Sequence, residues 1–182
     1  MRSILSGSSS RLFSYGERRL LILLTLAGAA LRVAYQFDRE FRGDEVGTLI
    51  HMDRSVGDLL THSGTWLTMN YFIVAEKVLG WLFGRGPLAL GVLSLAAGIA
   101  LIPLTAWLAR SITTGRASLM AAALVAANPF LVDYSCRIRS YSLMACLSVA
   151  LLACFLCWRE QPTTSRGVGV AALAALLLLS HP

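Results

Sequence analysis

The chain has 182 residues, 56% of them hydrophobic and only 14% charged, with a formal net charge of +6. A soluble globular domain is about a quarter charged, so too few charges are present to cover a water-facing surface, and a soluble fold is excluded. The arginines stand at the ends of apolar blocks and form no continuous basic stripe, so the positive charge does not signal nucleic acid.

Crossing a bilayer core takes roughly 20 mostly apolar residues, and several blocks meet that length. The expected fold is therefore all-α, a polytopic transmembrane helical protein. Residues 1–19 are a polar segment with Arg2, Arg11, Arg18 and Arg19 against Glu17. A first span follows from Leu20 to Phe37. A secretory signal is the rival, because a basic stretch precedes an apolar run containing Ala27, Ala29 and Ala30. A cleaved signal would leave the later spans without their own orientation, which favours a retained anchor. Arg32 lies near the far end of this span and is expected to extend to the interface.

Residues 38–65 are the least apolar stretch, with Asp38, Arg39, Glu40, Arg42, Asp44, Glu45 and Asp53. Ser55-Val56-Gly57-Asp58 ahead of Leu59-Leu60 has the form of a helix-capping sequence, which predicts a short interfacial helix. Trp66 to Phe83 is apolar but holds Asn70, Glu76 and Lys77, with Trp66 and Trp81 near its ends. Each charge at mid-bilayer costs about 2.5–3.5 kcal/mol on insertion scales. A helix lying in the interface with aromatic anchors avoids that cost.

Three further spans are expected over Pro87–Ala109, Ala117–Val132 and Tyr141–Trp158, and another apolar block begins at Gly167. With 66–83 lying flat, the N-terminus and the connections 110–116 and 159–166 fall on one side. That side carries eight arginines (positions 2, 11, 18, 19, 110, 116, 159 and 166) against Glu17 and Glu160, a balance of +6. The positive-inside rule makes it the cytoplasm of a cell-membrane protein. The loops 38–86 and 133–140 then face the periplasm or exterior. The last block ends without a polar tail at Ser180-His181-Pro182, so the chain is expected to be the N-terminal portion of a longer protein.

Cysteines and histidines carry little chemistry. Cys146, Cys154 and Cys157 share one apolar block, and the C-x-x-C pair has no second ligand pair, so these read as small hydrophobes. His51 and His62 read as loop residues, because a zinc site needs three or four ligands.

Two polar constellations share the outer face. The first is Phe41-Arg42-Gly43-Asp44-Glu45, and the second runs from Asp133 to Tyr141 with Arg137 and Arg139. Arginine offers a planar fork that binds phosphate oxygens in pairs, and a carboxylate beside it can take a proton from a hydroxyl. The bland reading is a set of solvated loop charges.

The order of these features resembles the membrane glycosyltransferases of the GT-C class. It is most similar to glycosyltransferase family 39 and its bacterial relatives, which include protein O-mannosyltransferases and lipid A-modifying sugar transferases. The resemblance rests on Asp44-Glu45 after the first span and on Trp81-Leu82-Phe83-Gly84 closing the interfacial stretch. It continues through Asn128-Pro129-Phe130-Leu131-Val132-Asp133-Tyr134-Ser135, then Arg139-Ser140-Tyr141-Ser142-Leu143, and the final Leu-Ser-His-Pro, over about residues 20–182. One departure is Thr68-Met69-Asn70 before Tyr71-Phe72, where family members often have a His-Pro-Pro-like motif.

The resemblance implies a polyprenyl-phosphate sugar as donor, with transfer on the extracytoplasmic face to a hydroxyl of a protein, lipid or glycan. It implies a catalytic pair of Asp44 and Glu45, with Asp44 the general base. Adjacent residues diverge on a helix or a strand, so Glu45 holds the loop or the acceptor instead. A lipid phosphate leaves as a stabilised anion, so positive donors replace the second, acidic carboxyl that glycoside hydrolases need. Arg139 is the first candidate for that role and Arg137 the second, although Arg137 equally suits a lipid-headgroup anchor. Tyr141 is an interfacial aromatic within reach of the donor phosphate. No cofactor is implied, and a divalent cation at Asp44 has no supporting ligand spacing. The other readings are a non-catalytic carrier of a lipid-linked sugar and a transporter fragment. A transporter should show internal repeats and ionisable residues deep in its spans.

Overall fold

The computed structural model describes residues 13–37, 40–41, 43–61 and 70–180. Arg2, Arg11, Arg42, His62, Trp66, Thr68-Met69 and the final His181-Pro182 lie outside the described residues, as do the expectations resting on them. Among the described residues the chain is all-α, with ten helices and no strand.

Helix α1 (Tyr15–Phe37) starts five residues before its apolar block. The reason is a reciprocal cap: Glu17 N–H donates to Ser14 Oγ (3.3 Å), and Ser14 N–H donates to the Glu17 carboxylate (2.7 Å). Such a Ser-x-x-Glu box satisfies two of the N–H groups a helix start leaves orphaned. At 1.5 Å per residue its 23 residues reach about 35 Å.

Between the first two spans lie α2 (Gly43–Met52), α3 (Val56–Thr61), α4 (Asn70–Phe83) and the single turn α5 (Pro87–Leu90). The cap expected at Ser55 is present: Asp58 N–H donates to Ser55 Oγ (3.0 Å), whose hydroxyl donates to the Asp58 carboxylate (2.6 Å). His51, expected in a loop, falls instead in the last turn of α2.

Helices α6 (Val92–Arg110) and α9 (Tyr141–Glu160) are, like α1, long and apolar enough to cross a membrane. The block expected to cross as Ala117–Val132 is broken into α7 (Gly115–Ala127) and α8 (Pro129–Ser135), bent by 57°. Asn128 makes the break. It stands before a proline, which pushes it out of the helical region to φ −64°, ψ 119°, and its side chain caps α8 by accepting from Leu131 N–H at 3.1 Å. Helix α10 (Thr164–Leu179) has 16 residues and packs on α9.

Helix α6 is central, packed against α1, α7, α8 and α9. Its small residues let neighbours approach closely, as in membrane bundles generally. A Cβ on Gly98 would overlap the Ser135 Cβ, and one on Gly28 of α1 would stand 2.6 Å from Ile102 Cδ1. A bundle core forms around Ile102, Ala106, Ala122 and Ala126. A second cluster of Met52, Leu59, Phe72, Ile73, Leu90 and Ile138 ties α2–α5 to the α8–α9 turn.

The bundle has two chemically distinct ends. At one, Glu17 pairs with Arg110 at 3.9 Å, joining the start of α1 to the end of α6. At the other, the Ser94 hydroxyl near the start of α6 donates to the Arg139 carbonyl at 2.8 Å. Helix alternation puts the basic 110–116 and 159–166 connections together at the first end, and the turn 136–140 at the second.

Candidate functional site

The second end gathers the residues singled out from the sequence. Asp44 is in the first turn of α2, with its side chain outside the described atoms. Glu45 follows and is fully buried, its carboxylate accepting from Ile138 N–H at 2.8 Å. The Glu45 carboxylate is thus engaged by the turn between α8 and α9. That bond joins α2 to a segment 93 residues away and brings the Asp-Glu start of α2 onto the arginine turn.

Within the turn the two arginines differ. Arg137 Nε donates to Asp133 Oδ2 at 2.9 Å, and its guanidinium lies 4.9 Å from the Tyr134 ring centroid. Asp133 also accepts from the Tyr35 hydroxyl of α1 at 2.9 Å. Arg139 lies over the Tyr141 ring at 5.6 Å, and Tyr141 meets Tyr134 edge-on at 5.1 Å. The structure thus brings Glu45, Arg137, Arg139 and Tyr141 to one end of the bundle, around backbone whose positions are fixed by Glu45 and Ser94.

A groove of about 470 Å³ opens beside this turn between α1 and the α7–α8 bend, lined by Leu31, Tyr35, Ala127, Phe130, Val132 and Asp133. It is apolar except where Tyr35 and Asp133 meet.

Arg32 departs from expectation. It does not reach the interface but is fully buried. Its guanidinium donates to three carbonyls: Gly28 at 3.0 Å, Ala126 at 2.9 Å and Val125 at 3.0 Å. The cause lies in Pro129. In a continuous helix the Val125 carbonyl would accept from the N–H four residues on, which proline lacks, and the bend withdraws the partner of Ala126 as well. Arg32 supplies those missing donors at the partly negative C-terminal end of α7. The Cys136 thiol in turn donates to the Arg32 carbonyl at 3.2 Å. Arg32 therefore holds the bend from which α8, Asp133 and the arginine turn project. Sequence reasoning missed Arg32, Tyr35 and Asp133 as a set. The available signal was Asn128-Pro129 inside an apolar block, which creates unpaired carbonyls, plus one arginine in a span.

Glu76 and Lys77 of α4 both turn inward. The Lys77 ammonium donates to the Arg54 carbonyl and lies 5.8 Å from the Trp81 ring centroid. Both Glu76 carboxylate oxygens are buried with no hydrogen-bond partner among the described residues, and burial pushes this carboxyl up to about 8. The folded chain therefore keeps a proton that the unfolded chain releases above its ordinary 4.5. The stability that goes with neutral Glu76 is full below the unfolded value and is lost as pH rises towards the folded one. Glu76→Gln should remove this loss, giving a thermal midpoint in detergent that is flatter than wild type between about pH 5 and 8. Parallel pH profiles for the two proteins would show that the carboxyl is not held neutral.

Among the described residues no three His, Cys, Asp or Glu side chains converge as a metal site requires. The four cysteines are free, with Cys136 buried and the other three half-buried. Spans, helical content and the absence of strands among the described residues define the class of molecule: an α-helical membrane protein. No family model, curated protein or solved structure matches the chain.

Proposed function

We propose that this chain is a membrane glycosyltransferase that moves a sugar from a polyprenyl-phosphate donor to an acceptor hydroxyl with inversion. The observation that carries the reading is the Glu45–Ile138 hydrogen bond, which holds the Asp-Glu start of α2 against the turn bearing Arg137 and Arg139. A base and a phosphate clamp must face one another across a reacting sugar, and this contact brings their two segments together.

In this reading Asp44 takes the acceptor proton as the acceptor oxygen bonds to the anomeric carbon. The bond from that carbon to the phosphate oxygen breaks, and the phosphate leaves as an anion towards Arg139. Arg137, already engaged by Asp133, steadies the turn, and Tyr141 supports the Arg139 guanidinium. Glu45 acts by positioning. The groove beside Tyr35 and Asp133 suits the donor's hydrocarbon tail. Residues 1–19 and the basic connections lie in the cytoplasm on this proposal, and the site faces the exterior side of the cell membrane.

The buried Arg32 and the broken α7–α8 pair are features that transporters also use. Arg32, however, donates from both terminal guanidinium nitrogens to backbone carbonyls, the bonding of a structural residue.

The test is transfer from radiolabelled polyprenyl-phosphate sugars in membranes carrying wild type, Arg139→Lys or Arg137→Lys at matched expression. Arg139→Lys keeps the charge but loses the paired donors, so the KM for donor should rise more than in Arg137→Lys. Full donor use with lysine at 139 would remove the clamp. A wild type that transfers nothing from a full donor panel would leave only a carrier.

A further inference from the structure

A serine hydroxyl in a helix ordinarily turns back onto a carbonyl three or four residues earlier in the same helix. Ser118, Ser135 and Ser148 do so, as does Ser180 at the end of α10, all at 2.7–2.8 Å. Ser94, in the first turn of α6, does not. Among the described residues it is the one serine whose hydroxyl bonds a carbonyl of another segment, that of Arg139, 45 residues along the chain. Ser94 is also fully buried, so water cannot take over the bond when the hydroxyl is removed.

Packing explains the reach. Ser94 and Gly98 are four residues apart and share the buried face of α6. At Gly98 the missing Cβ lets Ser135 of α8 press against the helix. The turn that follows Ser135 then passes over α6 one helical turn nearer its start, where Ser94 stands. The carbonyl it meets lies outside α9. Ser140 is the N-cap of that helix, and its carbonyl accepts the first bond of the ladder, from Met144 N–H at 2.8 Å. Arg139 is one residue before that point, so the α9 ladder does not fix the direction of its carbonyl.

The step Ile138-Arg139 is held from two helices at once. Glu45 of α2 accepts its N–H, and Ser94 of α6 donates to its C=O. At the far end of the side chain, the Arg139 guanidinium rests over the Tyr141 ring at 5.6 Å. From this geometry we propose that Ser94 is a positioning residue for the phosphate clamp. Its hydroxyl sets the direction of the Arg139 peptide, and through it the place of the guanidinium that receives the leaving phosphate. This role rests on the sugar-transfer reading of the site, and it makes the start of α6 part of the donor-binding machinery.

The test compares Ser94→Ala, Ser94→Thr and Ser118→Ala in the full chain, in membranes at matched expression. Ser118 is the matched control because it is equally buried and lies in the first turn of α7, at the other end of the bundle. Each alanine removes one buried hydroxyl bond, so a purely structural role predicts the same behaviour from both. Only Ser94→Ala should raise the donor KM, by about 3–10-fold, with kcat at saturating donor changed less. Ser94→Thr keeps the hydroxyl and should recover most of the donor use. Hydrogen exchange across residues 136–141 reads the same positioning without any transfer. It should quicken in Ser94→Ala and not in Ser118→Ala. Equal donor KM in the two alanine variants, or equal exchange, would overturn the assignment of Ser94 and leave the transfer reading standing. A wild type that neither binds nor transfers from any polyprenyl-phosphate sugar would overturn both, so the wild-type assay separates the two failures.

Discussion

Asp44→Asn is expected to lower sugar transfer by roughly 10²–10⁴-fold, the usual worth of a positioned general base, with membrane insertion intact. The amide keeps the size of the side chain but cannot accept the acceptor's proton. Its position supports a small structural effect, since Asp44 lies in the first turn of α2 beside Glu45, and the bond to the turn belongs to Glu45. Donor binding should change far less, because the proposed function gives the phosphate to the arginine turn. The decisive comparison is single-turnover transfer and donor affinity, measured on the same membranes. Equal turnover by the two proteins would falsify the base assignment. A large loss of donor affinity with unchanged turnover would make Asp44 a binding residue instead.

Arg32→Met is expected to cost about 2 kcal/mol or more, because two orphaned carbonyls at about 1–3 kcal/mol each outweigh the relief of no longer burying a charge. For a chain of this size that is a fall of about 4–8 °C in thermal midpoint. Arg32→Lys should fall between, since one ammonium cannot span the Val125 and Ala126 carbonyls in the geometry that the guanidinium uses. Pro129→Ala supplies the control. It returns an N–H to the Val125 carbonyl, so the Arg32→Met penalty should shrink in that background, giving a measurable coupling between two residues not in direct hydrogen-bond contact. Additive effects would show that Arg32 stabilises the bundle by packing alone.

How much of this was legible in the sequence differs by element. The spans were, because hydropathy over about 20 residues is a local property: α1 and α6 end, and α9 starts, within a residue of the expected bounds, although α6 starts at Val92 and leaves Pro87–Leu90 as a separate turn. The start of α1 was missed although its Ser14–Glu17 box is explicit, because apolarity was read ahead of capping. The break at Asn128-Pro129 was likewise written in the chain but hidden by averaging over an apolar block. The pairing of Glu45 with Ile138, and of Arg32 with Val125 and Ala126, joins positions more than ninety residues apart. Charge balance could put the two polar constellations on one face, but only packing could bring them into contact. The inward turn of Glu76 and Lys77 was also beyond local reading, since it depends on what α2 and α3 lay against α4.

The carbonyls that hold Arg32 belong to a helix made much later than α1. Ala126 is 94 residues downstream, which at 5–20 residues per second is about 5–20 s of synthesis. Through that interval the nascent first helix carries a guanidinium with only its own Gly28 carbonyl for company among its later partners. The bundle can close around Arg32 only once the bent pair that supplies those carbonyls has been made.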